Sequence, residues 1–578
     1  MVLPELDALL AAAEAWAAAD PDPATAGELR TLTARVRSAG RPGSADEQDL
    51  RDRFSGPLVF GTAGLRAALG AGPNRMNRVV VRRAAAGVAA HALRLADDAG
   101  TAYVPRAVVG YDARYNSKIF AQETAAIFTA AGLETFLLPS ELPTPVLAYA
   151  VRALQCEVGI MVTASHNPPQ DNGYKVYLGG RAVEEDARGV QIVAPHDADI
   201  AASIAAVGGT DAVALASDGW TVLPGSLEED YVTAVAALAD PAFPARDLRI
   251  ILTPLHGVGG RTARAVLAAA GFENVTLVTQ QAEPDPDFPT VAFPNPEEPG
   301  ALDLALETAA AADADLVIAN DPDADRVALA AKDPSTGSWR MLRGDEVGTL
   351  LGLHLTARAP VTAGEQQVFA NSIVSSRLLG RIAAAAGIEH VQTLTGFKWI
   401  ARVRNLGYGY EEALGYCVAP GVVRDKDGMS AALLLAELAA ATKAAGRTLF
   451  DLLDDTFLAH GLHAADQVSV RVESVGVLGV LMERLRHNPP QSFAGSPVDT
   501  LQDLAQGSAT LPPTDGLLYL TRDSTRVIIR PSGTEPKLKC YLEVVEPVGS
   551  AAGLVDAKAT VRARLDAVKL DVGAALGL

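Results

Sequence analysis

The sequence predicts an α/β protein built of repeated units and closed by a C-terminal unit of α+β type. From about residue 51, short apolar runs alternate with alanine-rich helical segments of ten or more residues. That is the pattern of parallel sheets joined by crossover helices. The alternation restarts several times, which indicates repeated α/β units, although no strict sequence repeat is visible. Past about residue 515 the runs become short, β-rich and closely spaced, as in an antiparallel sheet.

In chain order, residues 1 to about 50 read as a helical lead-in, an ordinary packing arm whose alanine-rich helices break at Asp20-Pro21-Asp22-Pro23. Residues 106–111 (RAVVGY) read as a strand and 119–131 as the helix after it; 158–162 is an apolar run. Next come a strand at 248–252 and a helix at 261–270, then a helix from about 302 leading into a strand at 315–319. A strand at 368–371 precedes a helix through 386. The C-terminal strands are 516–521, 526–530 and 539–545. Stretches rich in Pro, Gln and Ser at 489–497 and 505–514 read as loops, and a helix at 551–568 closes the chain. The expected divisions are 1–50, 51–208, 209–332, 333–460 and 461–578, with the last linker near Gly461.

At roughly 150 residues per domain, a chain of 578 residues fits about four domains. With 49% hydrophobic and 20% charged residues, each domain can bury its own core. A net charge of -20 argues against nucleic acid or an anionic membrane as partner. A phosphate site on such a body must be locally positive. Cys156, Cys417 and Cys540 are few, odd in number and without metal-ligand spacing, so a reducing, cytoplasmic compartment is expected. The start, MVLPELDALL, has two early acids and no basic stretch and is not expected to be a secretory signal. The longest apolar helical stretch, near 431–445, carries Glu437 and Lys443 and reads as a buried helix, not a membrane span. The oligomeric state, monomer or dimer, is left open.

Three segments carry chemistry. Residues 163–169 (TASHNPP) put Ser165 at the end of an apolar run and before a Pro-Pro turn, which holds a hydroxyl out for reaction. A serine hydroxyl is a weak nucleophile unless a base or a cation assists it. His166 beside it contacts substrate or orients the loop, and Lys175 is placed to take or give the proton of an attacking hydroxyl. Residues 321–326 (DPDADR) cluster Asp321, Asp323 and Asp325 after a strand. Such carboxylates repel one another without a cation, and hard oxygens suit Mg²⁺, which would also bind an oxygen of a phosphate on Ser165. An EF-hand needs Gly and Glu where Arg326 and Lys332 stand; a solvated acidic turn is the plain alternative. Residues 530–536 (RPSGTEP) bring Arg530 together with Ser532, Gly533 and Thr534 in a tight turn, with Lys537 following, a nest for a phosphate dianion.

Weaker signals complete the set. In FGTAGLR the glycines let backbone approach a ligand, with Arg66 aimed at phosphate. Asp112, Arg114 and Ser117 read as supports of the serine loop. Thr395, Gly396 and Lys398 (TGFKWI), Glu411 (EEALG) and Lys426 (RDKDG) fall within one α/β unit, Glu411 suited to sugar hydroxyls and the lysines to phosphate or ring oxygens.

The four segments TASHNPP, DPDADR, EEALG and RPSGTEP, in this order over about residues 50 to 545, resemble the phosphoserine, metal, sugar and phosphate loops of the α-D-phosphohexomutase superfamily. The resemblance implies three similar α/β domains with mixed, mostly parallel sheets and a C-terminal α+β domain around a central cleft. It implies Ser165 as the phosphorylated serine, also a metal ligand with Asp321, Asp323 and Asp325, and Arg326, Lys175, Glu411 and the Arg530 loop as substrate contacts. Mg²⁺ and a sugar bisphosphate activator are the implied cofactors, and a small sugar phosphate the implied partner. Ala413 stands where many members have Ser, and Ala67 where many have Gly; with FGTAGLR, TGFKWI, EEALGY and RDKDG the chain looks most like the branch of phosphopentomutases and glucose-1,6-bisphosphate synthases. The implied activity is transfer of a phosphoryl group between the 1- and 6-positions, or 1- and 5-positions, of a sugar phosphate. Phosphoglucomutase activity comes first, beside phosphopentomutase or phosphomannomutase activity. A sugar 1,6-bisphosphate synthase or a metal-dependent sugar phosphatase is the alternative.

Overall fold

A computed structural model describes residues 6–577 apart from 40–42, 62–63, 100–102, 210–211, 359–366, 473–474, 510 and 533–536. The chain forms two compact units. The first holds residues up to 241, 246–330 and 419–436; the second holds 242–245, 331–418 and 437 onward.

In the first unit, three helices, Leu6–Ala19, Pro23–Ser38 and Ala45–Arg53, make the lead-in. The break between the first two follows from local chemistry. Asp22 accepts a hydrogen bond from Ala24 N at 2.9 Å, and Pro23 takes the first helical position, where a missing N–H costs nothing. Leu9, Leu10, Leu29, Leu32 and Leu50 form one buried cluster, which also takes in Ala71.

The first large sheet runs Leu65–Ala68, Asp171–Leu178, Val158–Val162, Arg106–Tyr111, Glu134–Leu137, Thr221–Val222, with Val190–Gln191 beside Asp171–Leu178. Arg106–Tyr111 is parallel to both Glu134–Leu137 and Val158–Val162, whereas Asp171–Leu178 is antiparallel to Val158–Val162. Val158–Val162 is buried at every position, as expected of a continuous apolar run covered on both faces. The second sheet repeats the plan. Ile250–Thr253 lies parallel between Val275–Leu277 and Leu316–Asn320, and Val327–Lys332 is antiparallel to Leu316–Asn320.

In the second unit Val368–Ser372 lies parallel between Glu389–Thr393 and Leu406–Glu411, and Gly415–Cys417 is antiparallel to Leu406–Glu411. The same four-strand arrangement thus occurs three times in a chain without a sequence repeat. The C-terminal sheet is antiparallel throughout, in the order Leu462–Arg471, Lys537–Glu546, Arg526–Pro531, Leu517–Thr521, Ser496–Asp503, Ser492–Phe493. The expected loop at 489–497 is instead partly a hairpin: buried Phe493 anchors one strand, and Ala494 and Gly495 turn with φ of 48° and 76°. The closing helix is longer than the sequence suggested, Leu554–Leu576. Val561, Leu565, Val568, Val572 and Leu576 keep its buried face going, and Gly577 ends it at φ 78°.

Among the described residues no single helix is long and apolar enough to cross a membrane; Gly428–Ala444 and Leu449–His460 are bent 91° from each other.

Asp345, at the start of helix Gly344–Arg358, accepts hydrogen bonds from Ser376 N at 2.7 Å and the Tyr410 hydroxyl at 2.8 Å. Burial pushes its carboxyl up from 3.8 to about 7, with the charges of Glu412 and Glu543 adding to the rise. A raised folded-state pKa contributes stability that is complete below the ordinary carboxyl range and is lost as pH rises through about 7. Asp345→Asn is therefore expected to gain in melting temperature relative to the parent between pH 5.5 and pH 8. An equal offset at both pH values in thermal unfolding would rule this out.

Candidate active site

The chemistry-bearing loops occupy equivalent places in the three α/β sheets. Each joins the third parallel strand to the antiparallel fourth: residues 163–170 after Val158–Val162, residues 321–326 after Leu316–Asn320, and residues 412–414 after Leu406–Glu411. These are carboxyl ends of parallel strands, where open α/β sheets bind ligands.

In the first unit two of these loops meet. Ser165 is 3% exposed and adopts φ 53°, a left-handed conformation that costs a non-glycine residue about 1–2 kcal/mol. The loop is held in that shape by buried Arg114, whose guanidinium donates to the carbonyls of Ser165 (2.6 Å), Asn167 (2.5 Å), Pro168 (2.9 Å) and Asp171 (3.1 Å). Asp112 in turn accepts from Arg114 N at 3.0 Å and Ser117 Oγ at 2.6 Å. Ser165 Oγ donates to Asp321 Oδ2 at 2.9 Å and lies 3.1 Å from His166 Nδ1. Burial, then the positive charges of Arg326 and Arg66, hold the His166 imidazole well below its ordinary pKa, so it is neutral.

Asp321, Asp323 and Asp325 are buried, with one carboxylate oxygen from each lying within 4.8 Å of the others. Burial and the neighbouring carboxylates drive Asp321 well above the ordinary range. Burial also penalises ionised Asp323 and Asp325, and the charge of Asp325 adds to this for Asp323, but Lys175 with Thr144 act against it at Asp323, and Lys175, Lys426 and Arg326 at Asp325; both end below the ordinary value. Lys175 Nζ donates to Asp323 Oδ2 at 2.7 Å and Asp325 Oδ2 at 2.9 Å, and Lys426 Nζ is 3.0 Å from the same Asp325 oxygen. Arg326 N donates to Asp321 Oδ1 at 3.0 Å. Arg66 reaches Asn167 Oδ1 at 3.2 Å and feels the charges of Asp323 and Asp325. Four of the sequence-identified cations thus converge on one acidic cluster.

The cluster fits a hard divalent cation. Asp323 Oδ1 and Asp325 Oδ1 are buried and accept no hydrogen bond among the described residues. Orphaned buried oxygens of this kind point to an ion. The donors are all oxygen, as Mg²⁺ prefers, with Ser165 Oγ next to Asp321.

Sequence reasoning missed several supports. Thr144 Oγ1 donates to Asp323 Oδ2 at 2.6 Å from the start of helix Thr144–Ala153. Gly257 lies so close to the aspartate loop that a Cβ there would sit 2.2 Å from Pro322 Cα; the signal was the run Gly257-Val258-Gly259-Gly260 after a strand. The segment bearing Lys426 follows the third sheet in sequence yet folds with the first unit. Asp425 accepts from the Tyr177 hydroxyl (3.0 Å) and Gln191 Nε2 (2.8 Å), and Asp427 from the Tyr231 hydroxyl (2.8 Å), so Lys426 is fixed from both sides.

The second unit carries the remaining residues. Arg530 ends strand Arg526–Pro531, Lys537 begins Lys537–Glu546, and Ser532 N donates to Lys537 O at 2.8 Å; Gly533 and Thr534 lie outside the described residues. Burial and the charge of Glu412 raise the Tyr541 hydroxyl, against Arg530 beside it, with Glu411 also near. Glu412, which the sequence reading passed over, accepts from Ser372 Oγ at 3.0 Å and Ser375 Oγ at 2.8 Å. Thr395 and Gly396, the latter at φ 102°, lead into the one-turn helix Phe397–Ile400 that bears Lys398.

Comparison with known proteins agrees with this arrangement. Models of phosphoglucomutase/phosphomannomutase α/β/α domains I, II and III match residues 57–207, 229–337 and 343–458, and that of the C-terminal domain matches 488–560. A probable phosphomannomutase of Haemophilus influenzae is 45% identical over 81% of this chain and 93% of its own. The phosphopentomutase of Mus musculus is 32% identical over 93% of this chain and 90% of its own. A solved structure from Thermus thermophilus, provisionally named a phosphomannomutase, superposes with a TM-score of 0.67 at 26% identity, covering 89% of this chain and 99% of that one. With all four domain models matched along its length, the chain belongs to the phosphoglucomutase/phosphomannomutase family.

Proposed function

We propose that the protein is a phosphosugar mutase that carries the phosphoryl group on Ser165. The observation that carries this reading is the buried Ser165 hydroxyl held 2.9 Å from Asp321 in a loop pinned by Arg114. Phosphorylated Ser165 gives its phosphoryl group to the free hydroxyl of a sugar monophosphate: the sugar oxygen bonds to phosphorus as the bond to Ser165 Oγ breaks. The resulting bisphosphate turns over, and its other phosphoryl group returns to Ser165, leaving the isomer. Mg²⁺ held by Asp321, Asp323, Asp325 and Ser165 would supply neutralisation of the charge on the transferring phosphoryl oxygens. Arg66, Lys175, Arg326 and Lys426 place positive charge around the same atoms. His166 Nδ1, 3.1 Å from Ser165 Oγ, is the near group for the moving proton, and Lys175, which Asp323 and Asp325 hold above its ordinary pKa against burial, would give a proton rather than take one. In the second unit, Arg530, Ser532 and Lys537, with Gly533 and Thr534, would hold a phosphate, while Glu411, Thr395, Gly396 and Lys398 would contact the sugar. A sugar bisphosphate is the proposed activator, since it phosphorylates Ser165. Buried free Cys156, Cys417 and Cys540 support a reducing, cytoplasmic setting, and the charge of -20 speaks against nucleic acid or membrane partners.

The deciding assay offers glucose 1-phosphate, mannose 1-phosphate and ribose 1-phosphate, with and without added sugar bisphosphate. Turnover of glucose 1-phosphate that depends on catalytic bisphosphate is expected. Net accumulation of bisphosphate from a second phosphoryl donor would mark a synthase, and release of inorganic phosphate as main product a phosphatase.

A further inference from the structure

A buried ion pair in the second unit links two loops that the functional reading uses separately. Arg526 and Glu543 are direct cross-strand partners on Arg526–Pro531 and Lys537–Glu546, the two strands that the phosphate turn joins. They are 5% and 1% exposed and approach to 3.3 Å. Both side chains reach into residues 372–377, between strand Val368–Ser372 and helix Leu378–Ala385. Arg526 donates to the carbonyls of Ile373 (2.9 Å), Val374 (3.5 Å) and Ser375 (2.6 Å). Glu543 accepts from Ser376 Oγ (2.8 Å), Arg377 N (2.8 Å) and Arg377 Nε (2.5 Å), and lies 3.1 Å from His463 Nδ1. The same segment then turns its other hydroxyls on the loop after Leu406–Glu411. Ser372 and Ser375 both donate to Glu412 Oε2, and Ser375 Oγ accepts from Glu412 N at 3.1 Å.

We propose that Arg526 and Glu543 are positioning residues: through residues 372–377 they set the Glu412 loop in register with the Arg530 hairpin, and so tune affinity for the sugar phosphate. The proposal rests on the mutase reading. A buried ion pair is poor value as mere stability, because apolar residues of similar volume often do as well. What it does provide is direction. Six protein hydrogen bonds from the pair fall on one short segment, and three more join that segment to Glu412 in the sugar loop. Hydrophobic contact alone, from Ile373 and Val374 to Ile528 and Tyr541, would hold the segment close but leave it free to slide.

The test uses the full-length enzyme. Glu543→Gln removes the charge but keeps the shape, and Ser375→Ala leaves the ion pair intact while removing two of the three hydrogen bonds to Glu412. Each is expected to raise KM for sugar phosphate about tenfold with kcat within about threefold, and the double variant to be no worse than the worse single one, as for residues in one chain of contacts. Hydrogen exchange of the free proteins should quicken in residues 406–417 in both variants and stay unchanged in 158–178. If exchange in 406–417 or KM is unchanged in folded Ser375→Ala, or if the two effects add, the proposal is overturned; Ser375→Ala alone decides if Glu543→Gln does not fold. Should the parent turn over no sugar phosphate, the mutase reading fails, and the exchange data still decide the coupling.

Discussion

Ser165→Ala is expected to lower multiple-turnover mutase activity by at least about a thousandfold, because it removes the atom that carries the phosphoryl group between the two half-reactions. The loop should survive the change. Arg114 holds it through four backbone carbonyls, none of which belongs to the deleted hydroxyl, and alanine meets the same conformational cost at φ 53°. The hydrogen bond to Asp321 Oδ2 disappears, but the aspartate keeps its bond from Arg326 N. Loss of activity would therefore report lost chemistry and not a lost fold. Incubation with radiolabelled glucose 1,6-bisphosphate should leave label on the parent and none on the variant. A labelled variant, or near-parent turnover at excess substrate, would transfer the carrier role to another residue.

Local patterns in the sequence carried much of the fold. The strand at 106–111 and the run at 158–162 coincide with the observed strands, because both are continuous apolar stretches whose ends are set by polar turn residues. The residues around Ser165 were also legible, since Asp112, Arg114 and Ser117 follow a strand immediately. Other features depend on distant partners and leave no local trace. The three α/β sheets share topology while their sequences share none of the periodicity that would announce a repeat. Lys426 sits after the third sheet in sequence but against Asp325 in space, through Tyr177, Gln191 and Tyr231 from three separate stretches. The choice between Glu411 and Glu412 shows the same limit. Adjacent glutamates look alike in sequence, and nothing near them announces that Ser372 and Ser375, at and just after the end of strand Val368–Ser372, hold the Glu412 carboxylate. The 489–497 hairpin was hidden because its turn residues resemble a loop, with only buried Phe493 to mark a strand.

Removal of divalent metal should abolish turnover by about a hundredfold or more, and Mg²⁺ should restore it. Three buried carboxylates in one short loop carry more negative charge than an apolar interior tolerates. Lys175 and Lys426 offset part of it through Asp323 Oδ2 and Asp325 Oδ2. The opposite oxygens, Asp323 Oδ1 and Asp325 Oδ1, accept no hydrogen bond among the described residues, and burial with the neighbouring carboxylates pushes Asp321 well above the ordinary range. A cation among these oxygens relieves both. It should also stabilise the fold, by about 2.7 kcal/mol at a hundred times its Kd. Titration with Mg²⁺ should thus raise the melting temperature of the parent, and Asp323→Asn or Asp325→Asn should raise that Kd and lower turnover together. Crystals soaked in Mn²⁺ should give one anomalous peak within about 2.2 Å of oxygens from all three aspartates. A peak elsewhere would break the assignment, and so would full activity in EDTA with the melting temperature indifferent to Mg²⁺. In that case Arg66, Lys175, Arg326 and Lys426 would be the answer to the buried charge, and the phosphoryl oxygens at Ser165 would have to be neutralised by the same four cations.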